Sequence, residues 1–179
     1  MMSYRVNAGP LPPTHWAHDP EVGGGRVLGE VCHFVDTLSF ICGHPLVQVK
    51  ASALDVPGPG HPPDNVVATL HFADGSIGNI VYASGVSTAL PKERLEVFGG
   101  NCSAVVDDFR ALELYAGTRK VKTFRTGGQQ KGFREEMESF LGVIRGVMPP
   151  AFTLEELAAV SRATFRIQES IQQGRSLPV

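Results

Sequence analysis

Cysteine is scarce in this chain: Cys32, Cys42 and Cys102 are the only three among 179 residues, and none forms a Cys-x-x-Cys pair. An odd, dispersed set excludes a disulfide framework and the common zinc spacings, and it fits a reducing cytoplasm. Excess charge is equally lacking. Sixteen Lys and Arg against eighteen Asp and Glu leave a net charge of −2, which removes the electrostatic case for nucleic acid or an anionic membrane surface. No apolar run approaches the roughly 18 residues a membrane-crossing helix needs. The start, Met1-Met2-Ser3-Tyr4-Arg5, does not open a signal peptide. There is no Gly-x-Gly-x-x-Gly after a strand, no Walker A sequence and no Gly-x-Ser-x-Gly elbow, so a dinucleotide fold, a phosphate cradle and a serine hydrolase are unsupported. Gly58-Pro59-Gly60 is proline-locked and does not lead into a helix.

What is present is an ordinary globular composition, 42% hydrophobic and 19% charged, long enough for one domain with its own core over residues 1–179. Residues 1–25 read as an opening strand and a loop rich in Pro, Gly and His. A helix over 26–42 stops at Gly43, with Pro45 just beyond. Strands follow over 46–126. Leu46 to Leu54 alternates, and 56–63 is a Pro-Gly loop. Asn65–Phe72 and Ser76–Ser84 form a hairpin around Ala73-Asp74-Gly75. Four short strands then run over 93–98, 102–107, 111–115 and 120–124. Two helices close the chain within 131–173. The first carries an apolar stripe of Phe133, Met137, Phe140, Leu141 and Ile144. The second opens on the capping box Thr153-Leu154-Glu155-Glu156. Strands segregated from helices predict an α+β fold, a large, mostly antiparallel open sheet with helices packed on one face. The other face then calls for solvent or a partner, and a sheet-to-sheet oligomer is the expectation.

The chemistry concentrates after Gly23-Gly24-Gly25. At about 100° per residue, Arg26, Glu30, His33 and Thr37 share one side of the predicted helix, opposite Val27, Val31, Phe34, Val35, Leu38 and Ile41. In one reading His33 is a general acid/base, Arg26 orients a hydroxylated or anionic substrate, and Glu30 holds the imidazole or binds hydroxyls. In another, Arg26 and Glu30 are simply an i,i+4 pair on a solvated face. A third reading gathers His15, His18 and His33 around a metal for hydrolysis. Asn7, where the first strand runs out, is a turn residue or a hydroxyl-binding amide; Trp16 is loop packing or a sugar-stacking platform. Lys92-Glu93-Arg94 reads as a solvated edge and Asp107-Asp108 as a turn.

Several stretches, in order, resemble the C-terminal domain of the Gfo/Idh/MocA oxidoreductases. They are Tyr4-Arg5-Val6-Asn7-Ala8-Gly9, the triple glycine, Gly29-Glu30-Val31-Cys32-His33-Phe34-Val35-Asp36, Phe72 to Gly78, Pro91 to Gly100 and Val106 to Arg110. The set is similar to the branch that follows a zinc-alcohol-dehydrogenase-like part in bidomain oxidoreductases. The resemblance implies an open sheet mediating homodimers or tetramers, and substrates that are sugars, nucleotide sugars or polyols. It implies NAD or NADP in the complete enzyme, held by an N-terminal Rossmann domain with a catalytic lysine. The family's helix histidine falls on His33, while its aspartate falls on Gly29, so the usual Asp–His pair is missing.

The expectation is therefore a detached substrate-binding and oligomerisation domain, with His33 catalytic and Arg26, Glu30, Asn7 and Trp16 shaping the pocket. No cofactor or metal is expected on the chain itself, and the isolated polypeptide is expected to be inactive. A non-catalytic scaffold or ligand-binding module of the same fold is the alternative, favoured by Gly29.

Overall fold

The computed structural model describes residues 1–12, 14–19, 21–54 and 64–179. The Pro-Gly loop expected over 56–63, with Gly58-Pro59-Gly60, lies outside them. Among the described residues nine strands form one sheet: β1 Met2–Asn7, β2 Leu46–Ala53, β3 Val66–Phe72, β4 Ile77–Ala83, β5 Glu93–Gly99, β6 Cys102–Asp107, β7 Ala111–Ala116, β8 Arg119–Arg125 and β9 Leu177–Pro178. Their order is β8-β7-β6-β5-β1-β4-β3-β2-β9. The first strand thus occupies the middle. It runs parallel to β4 and antiparallel to β5, and every other described pairing is antiparallel. The α+β class and the mostly antiparallel open sheet are as the sequence predicts.

Alternation explains which face is buried. Met2, Tyr4 and Val6 point into the core while Ser3 and Arg5 point away from it, the period-2 signature of a strand with one covered face. Above that face lie α1 (Cys32–Cys42) and α3 (Leu154–Gln173), which contribute Phe34, Val35, Leu38, Ala163 and Ile167 to a core shared with Ile80 and Tyr82. The turn of the β3–β4 hairpin has Gly75 at φ +85°, as the Asp-Gly signal requires. A Cβ at Gly78 would sit 3.0 Å from Leu38 Cδ1, so a glycine there lets α1 lie close on the sheet.

The capping box of α3 forms as predicted. Thr153 Oγ1 accepts from the Glu156 N–H, and Glu156 accepts from the Thr153 N–H. α2 (Phe133–Ile144) exists and carries its apolar stripe, but Phe133, Met137, Phe140, Leu141 and Ile144 are all exposed. Strand β8 is exposed along its whole length. The helix layer therefore covers the β1–β4 half of the sheet, and exposure grows outward along the β5–β8 limb, from the buried Leu95 of β5 to β8. Among the described residues no helix is long and apolar enough to cross a membrane.

One buried hydroxyl joins the layers. Ser170 Oγ, fully buried, accepts from the Ala51 N–H at 2.9 Å and donates to the Arg175 carbonyl at 2.6 Å. Ser170→Ala strands both groups away from water and is expected to cost about 1–3 kcal/mol, read as a lower urea midpoint with an unchanged m-value.

Candidate functional site

The site is built where β1 ends. Asn7 is the last residue of that strand, as the sequence suggests, and the chain then turns through Ala8 and Gly9 into the loop that carries Trp16. Trp16–His18 form a short 3-10 turn. A Cβ on Gly23 would lie 2.5 Å from the Trp16 carbonyl and 2.6 Å from Ala17 Cα. Only glycine lets the returning loop close at that point, and Gly24 and Gly25 follow at φ +66° and +89°. The triple glycine is thus required by backbone shape, whatever else it does.

The segment after it departs from the predicted geometry. Val27–Val31 wind as a π-turn before α1 begins at Cys32. A π-turn closes i→i+5 and rotates less per residue than the 100° of an α-helix, so the Arg26–Glu30 pair is turned out of the line that His33 and Thr37 keep on α1. The correction is substantial. Arg26 is 5% exposed, Glu30 is half-buried, and His33 is exposed. π-turns are frequent at functional sites, but no residue type in 27–31 announces one.

Arg26 and Glu30 do pair, at 3.2 Å, and they do so inside the molecule. The guanidinium of Arg26 also donates to the carbonyls of Gly9 at 2.7 Å and Ala8 at 3.2 Å, and lies 5.4 Å from the centre of the Tyr82 ring. The Glu30 carboxylate accepts from Arg26, from the Tyr82 hydroxyl and from Lys92 Nζ at 2.7 Å. Burial opposes the charge on Glu30, but those donors and the Lys92 charge outweigh it and hold the carboxyl at about 2. The Tyr82 hydroxyl moves the other way, raised by burial and by its bond to Glu30.

Lys92-Glu93-Arg94, read as a solvated edge, is corrected on two counts. Lys92 reaches back to Glu30, and Glu93 is 5% exposed. Glu93 accepts from the Tyr4 hydroxyl and from Lys131 Nζ at 2.6 Å. Its backbone N–H donates to Asp108 Oδ1, and Arg110 Nε donates to Asp108 Oδ2 at 3.2 Å. Asp107-Asp108 does lead into a turn, with Asp108 and Phe109 at positive φ. A strand-edge triplet gives no sequence signal for burial, because its partners Tyr4, Glu30 and Lys131 lie far away in the chain.

Asn7 is 6% exposed. Its Nδ2 donates to the carbonyls of Ser87 and Leu90, each at 2.8 Å, pinning the 87–92 loop, while its Oδ1 is buried with no partner among the described residues. Asn7, Thr88, Lys92, Asp107 and Arg110 line a cavity of about 420 Å³, within the usual size of small-molecule sites. His33 and Trp16 do not line it. Trp16 is 61% exposed beside His15. His33 lies near Asp36, whose carboxyl is raised by burial although the His33 charge opposes the shift. Among the described residues no three His, Cys, Asp or Glu side chains converge to hold a metal, so His15, His18 and His33 do not form the set considered for a hydrolase.

Nor do the described residues offer a dinucleotide site. The one parallel pair, β1 with β4, is not a βαβ unit with a glycine loop at its turn.

Residues 1–105 match the family model described as the GFO/IDH/MocA C-terminal domain. The chain belongs to that family. No curated protein matches it in sequence. Among solved structures it is similar to the aldose-aldose oxidoreductase from Caulobacter crescentus complexed with glycerol, at 17% identity and a TM-score of 0.81, covering 99% of this chain and 55% of that one. It is similar to UDP-N-acetylglucosamine 3-dehydrogenase from Acidithiobacillus ferrooxidans, at 19% identity and TM-score 0.76, covering 96% and 53%. An NAD binding oxidoreductase from Klebsiella pneumoniae matches at 20% identity and TM-score 0.77, covering 99% and 58%. At these identities the likeness is one of fold, and the chain spans about half the length of each of these proteins.

The depressed Glu30 carboxyl has a consequence for stability. Its folded value of about 2 lies below the ordinary 4.5, so its contribution is present above about pH 4.5 and is lost as the pH falls towards 2. Glu30→Gln is expected to lower stability at pH 7 by about 3 kcal/mol, because Arg26 stays buried without its counter-charge. Urea titrations from pH 7 to 3 should give the variant a flatter acid limb than the parent.

Proposed function

We propose that this chain is the substrate-holding and oligomerising half of an NAD(P)-dependent oxidoreductase acting on a sugar, nucleotide sugar or polyol. The observation that carries the reading is the charged cluster at the end of β1, where Arg26, Glu30, Tyr82 and Lys92 meet beside a cavity walled by Asn7. Proteins of the same fold include an aldose-aldose oxidoreductase, a UDP-N-acetylglucosamine 3-dehydrogenase and an NAD binding oxidoreductase, which supports a carbohydrate-like substrate and NAD(P). Within this reading NAD(P) is held by the part of the complete enzyme that this chain does not span, because the described residues offer no dinucleotide site.

Within the reading, His33 exchanges a proton with a substrate hydroxyl from its exposed position on α1, and Trp16 offers an aromatic platform on the neighbouring loop. Arg26 and Glu30 act one step back. Arg26 fixes the Ala8–Gly9 exit from β1, and Glu30 fixes Lys92. Asn7 holds the 87–92 loop against the same end of the strand. One observation favours a ligand-binding module without chemistry: Gly29 stands at the family's aspartate position with open space around it, so His33 lacks that partner.

The uncovered sheet face suits a second copy. Val67 pairs directly with Val81 on that face, Val81 is flanked on its other side by Arg5 of the central β1, and the Thr69–Asn79 pair separates them from Ile77. Arginine is among the residues enriched at protein interfaces.

Two measurements test these proposals. UDP-N-acetylglucosamine added to the 179-residue chain should shift the His33 imidazole signals in NMR spectra, and His33→Ala should weaken binding about tenfold. Binding indifferent to that change favours the non-catalytic module, and no binding at all removes the reading. In sedimentation the chain should run as at least a dimer, and the Val67→Glu, Val81→Glu double variant as a monomer. A parent that is already monomeric at micromolar concentration refutes the sheet-mediated assembly.

A further inference from the structure

Resting on the carbohydrate reading above, we infer that Lys92 sets the charge preference of the cavity at the end of β1, selecting a sugar that bears an anionic oxygen group, a carboxylate or a phosphate, over a neutral sugar. The case rests on what each wall of the cavity still has to give. On one side, Arg26 and Lys92 bring two positive charges to the single carboxylate of Glu30. Arg26 is enclosed and does not line the cavity, with three of its five N–H donors on Gly9, Ala8 and Glu30. Lys92 differs: its side chain is 40% exposed, it lines the cavity, and only one of the three donors of an ammonium group is engaged by Glu30. The surplus positive charge of the cluster is therefore presented to the cavity through Lys92.

The adjacent wall supplies the second observation. Asn7 is enclosed, both hydrogens of its Nδ2 are used on Ser87 and Leu90, and its Oδ1 has no partner among the described residues. A buried carboxamide oxygen without a donor is costly, so the end of the cavity that Asn7 lines favours a ligand that brings a donor over one that brings an acceptor. The same cavity is lined by Asp107 and Asp108 with Arg110, a group with one negative charge in excess. Asp108 is held ionised: burial opposes its charge, but bonds from Arg110 and Gln129 prevail. That group repels an anion and accepts hydroxyl hydrogens. The complementary molecule carries a negative group at one end and hydroxyl donors along the rest, as an acidic or phosphorylated sugar does.

Glu30 is what makes Lys92 selective instead of merely attractive. A free lysine sweeps a wide volume and binds any anion as a point charge. Fixed at 2.7 Å from Glu30 Oε1, the ammonium meets only an anion that is also seated beside Asn7.

The test is a titration of the 179-residue chain with D-glucose, D-glucuronate and D-glucose 6-phosphate at constant ionic strength, followed through the Asn7 side-chain amide signals in NMR spectra. At least one of the two anionic sugars is expected to bind about tenfold more tightly than glucose; which of them does so identifies carboxylate or phosphate as the group selected. Lys92→Met should abolish the preference, so that neither anionic sugar binds more tightly than glucose, and Lys92→Arg, which keeps the charge, should retain it. Thermal melts show whether Lys92→Met is folded; if it is not, loss of the preference on raising ionic strength in the parent takes its place. Equal affinity for the three sugars overturns the inference alone. A preference that survives Lys92→Met overturns it as well, as does inorganic phosphate competing as well as the phosphosugar. Failure to bind any sugar overturns both this inference and the carbohydrate reading beneath it.

Discussion

One carboxylate organises this end of the molecule. Glu30 sits on a π-turn, and its two oxygens receive an arginine from the same turn, a tyrosine from β4 and a lysine from the start of β5. Each donor comes from a different structural element, so the geometry of the strand ends depends on a charge that must stay in a half-buried place. Burying a carboxylate is unfavourable unless it is paired and hydrogen-bonded, and three donors meet that condition. Because Arg26 also grips the carbonyls of Ala8 and Gly9, the direction in which the chain leaves β1 is coupled to the same charge.

A second cluster repeats the plan next to the first. Glu93, one residue after Lys92, takes a tyrosine from β1 and a lysine from the segment before α2. Adjacent residues on the chain thus serve opposite roles, Lys92 as donor to one buried acid and Glu93 as acceptor in the other. Tyr4 and Tyr82, whose hydroxyls meet these two acids, both pack against Phe34. Polar order above and aromatic packing below are parts of a single construction, and a change in either is felt in the other.

Local signals made most of the scaffold readable. The Asp-Gly hairpin, the alternating strands from 93 to 124, the Gly43 stop and the Thr153 capping box each follow from chemistry within a few residues, and each appears where the sequence places it. The central place of β1 was not readable, because pairing with β4 and β5 spans 76 to 95 residues and leaves no local mark. The site was legible in part. Asn7 at the end of a strand and the Arg26–Glu30 pair were visible as residue types at a spacing. Their burial was not, since a π-turn has no composition of its own and rotates the side chains away from the expected line. Lys92 and Glu93 were misread for the complementary reason: a charged triplet at a strand start looks solvated until distant partners are known. His33 kept its exposure and lost its alignment with Arg26 and Glu30.

The uneven helix cover has a dynamic consequence. Strand β1 is paired on both edges and sheltered by α1 and α3, while β8 is an outer strand whose seven residues all meet solvent. Resistance to opening should therefore fall stepwise from the middle of the sheet outward through β5, β6 and β7. The amides of the far strand would be the first to trade protons with water, and the meander would loosen as a separate cooperative unit while the aromatic centre stays intact.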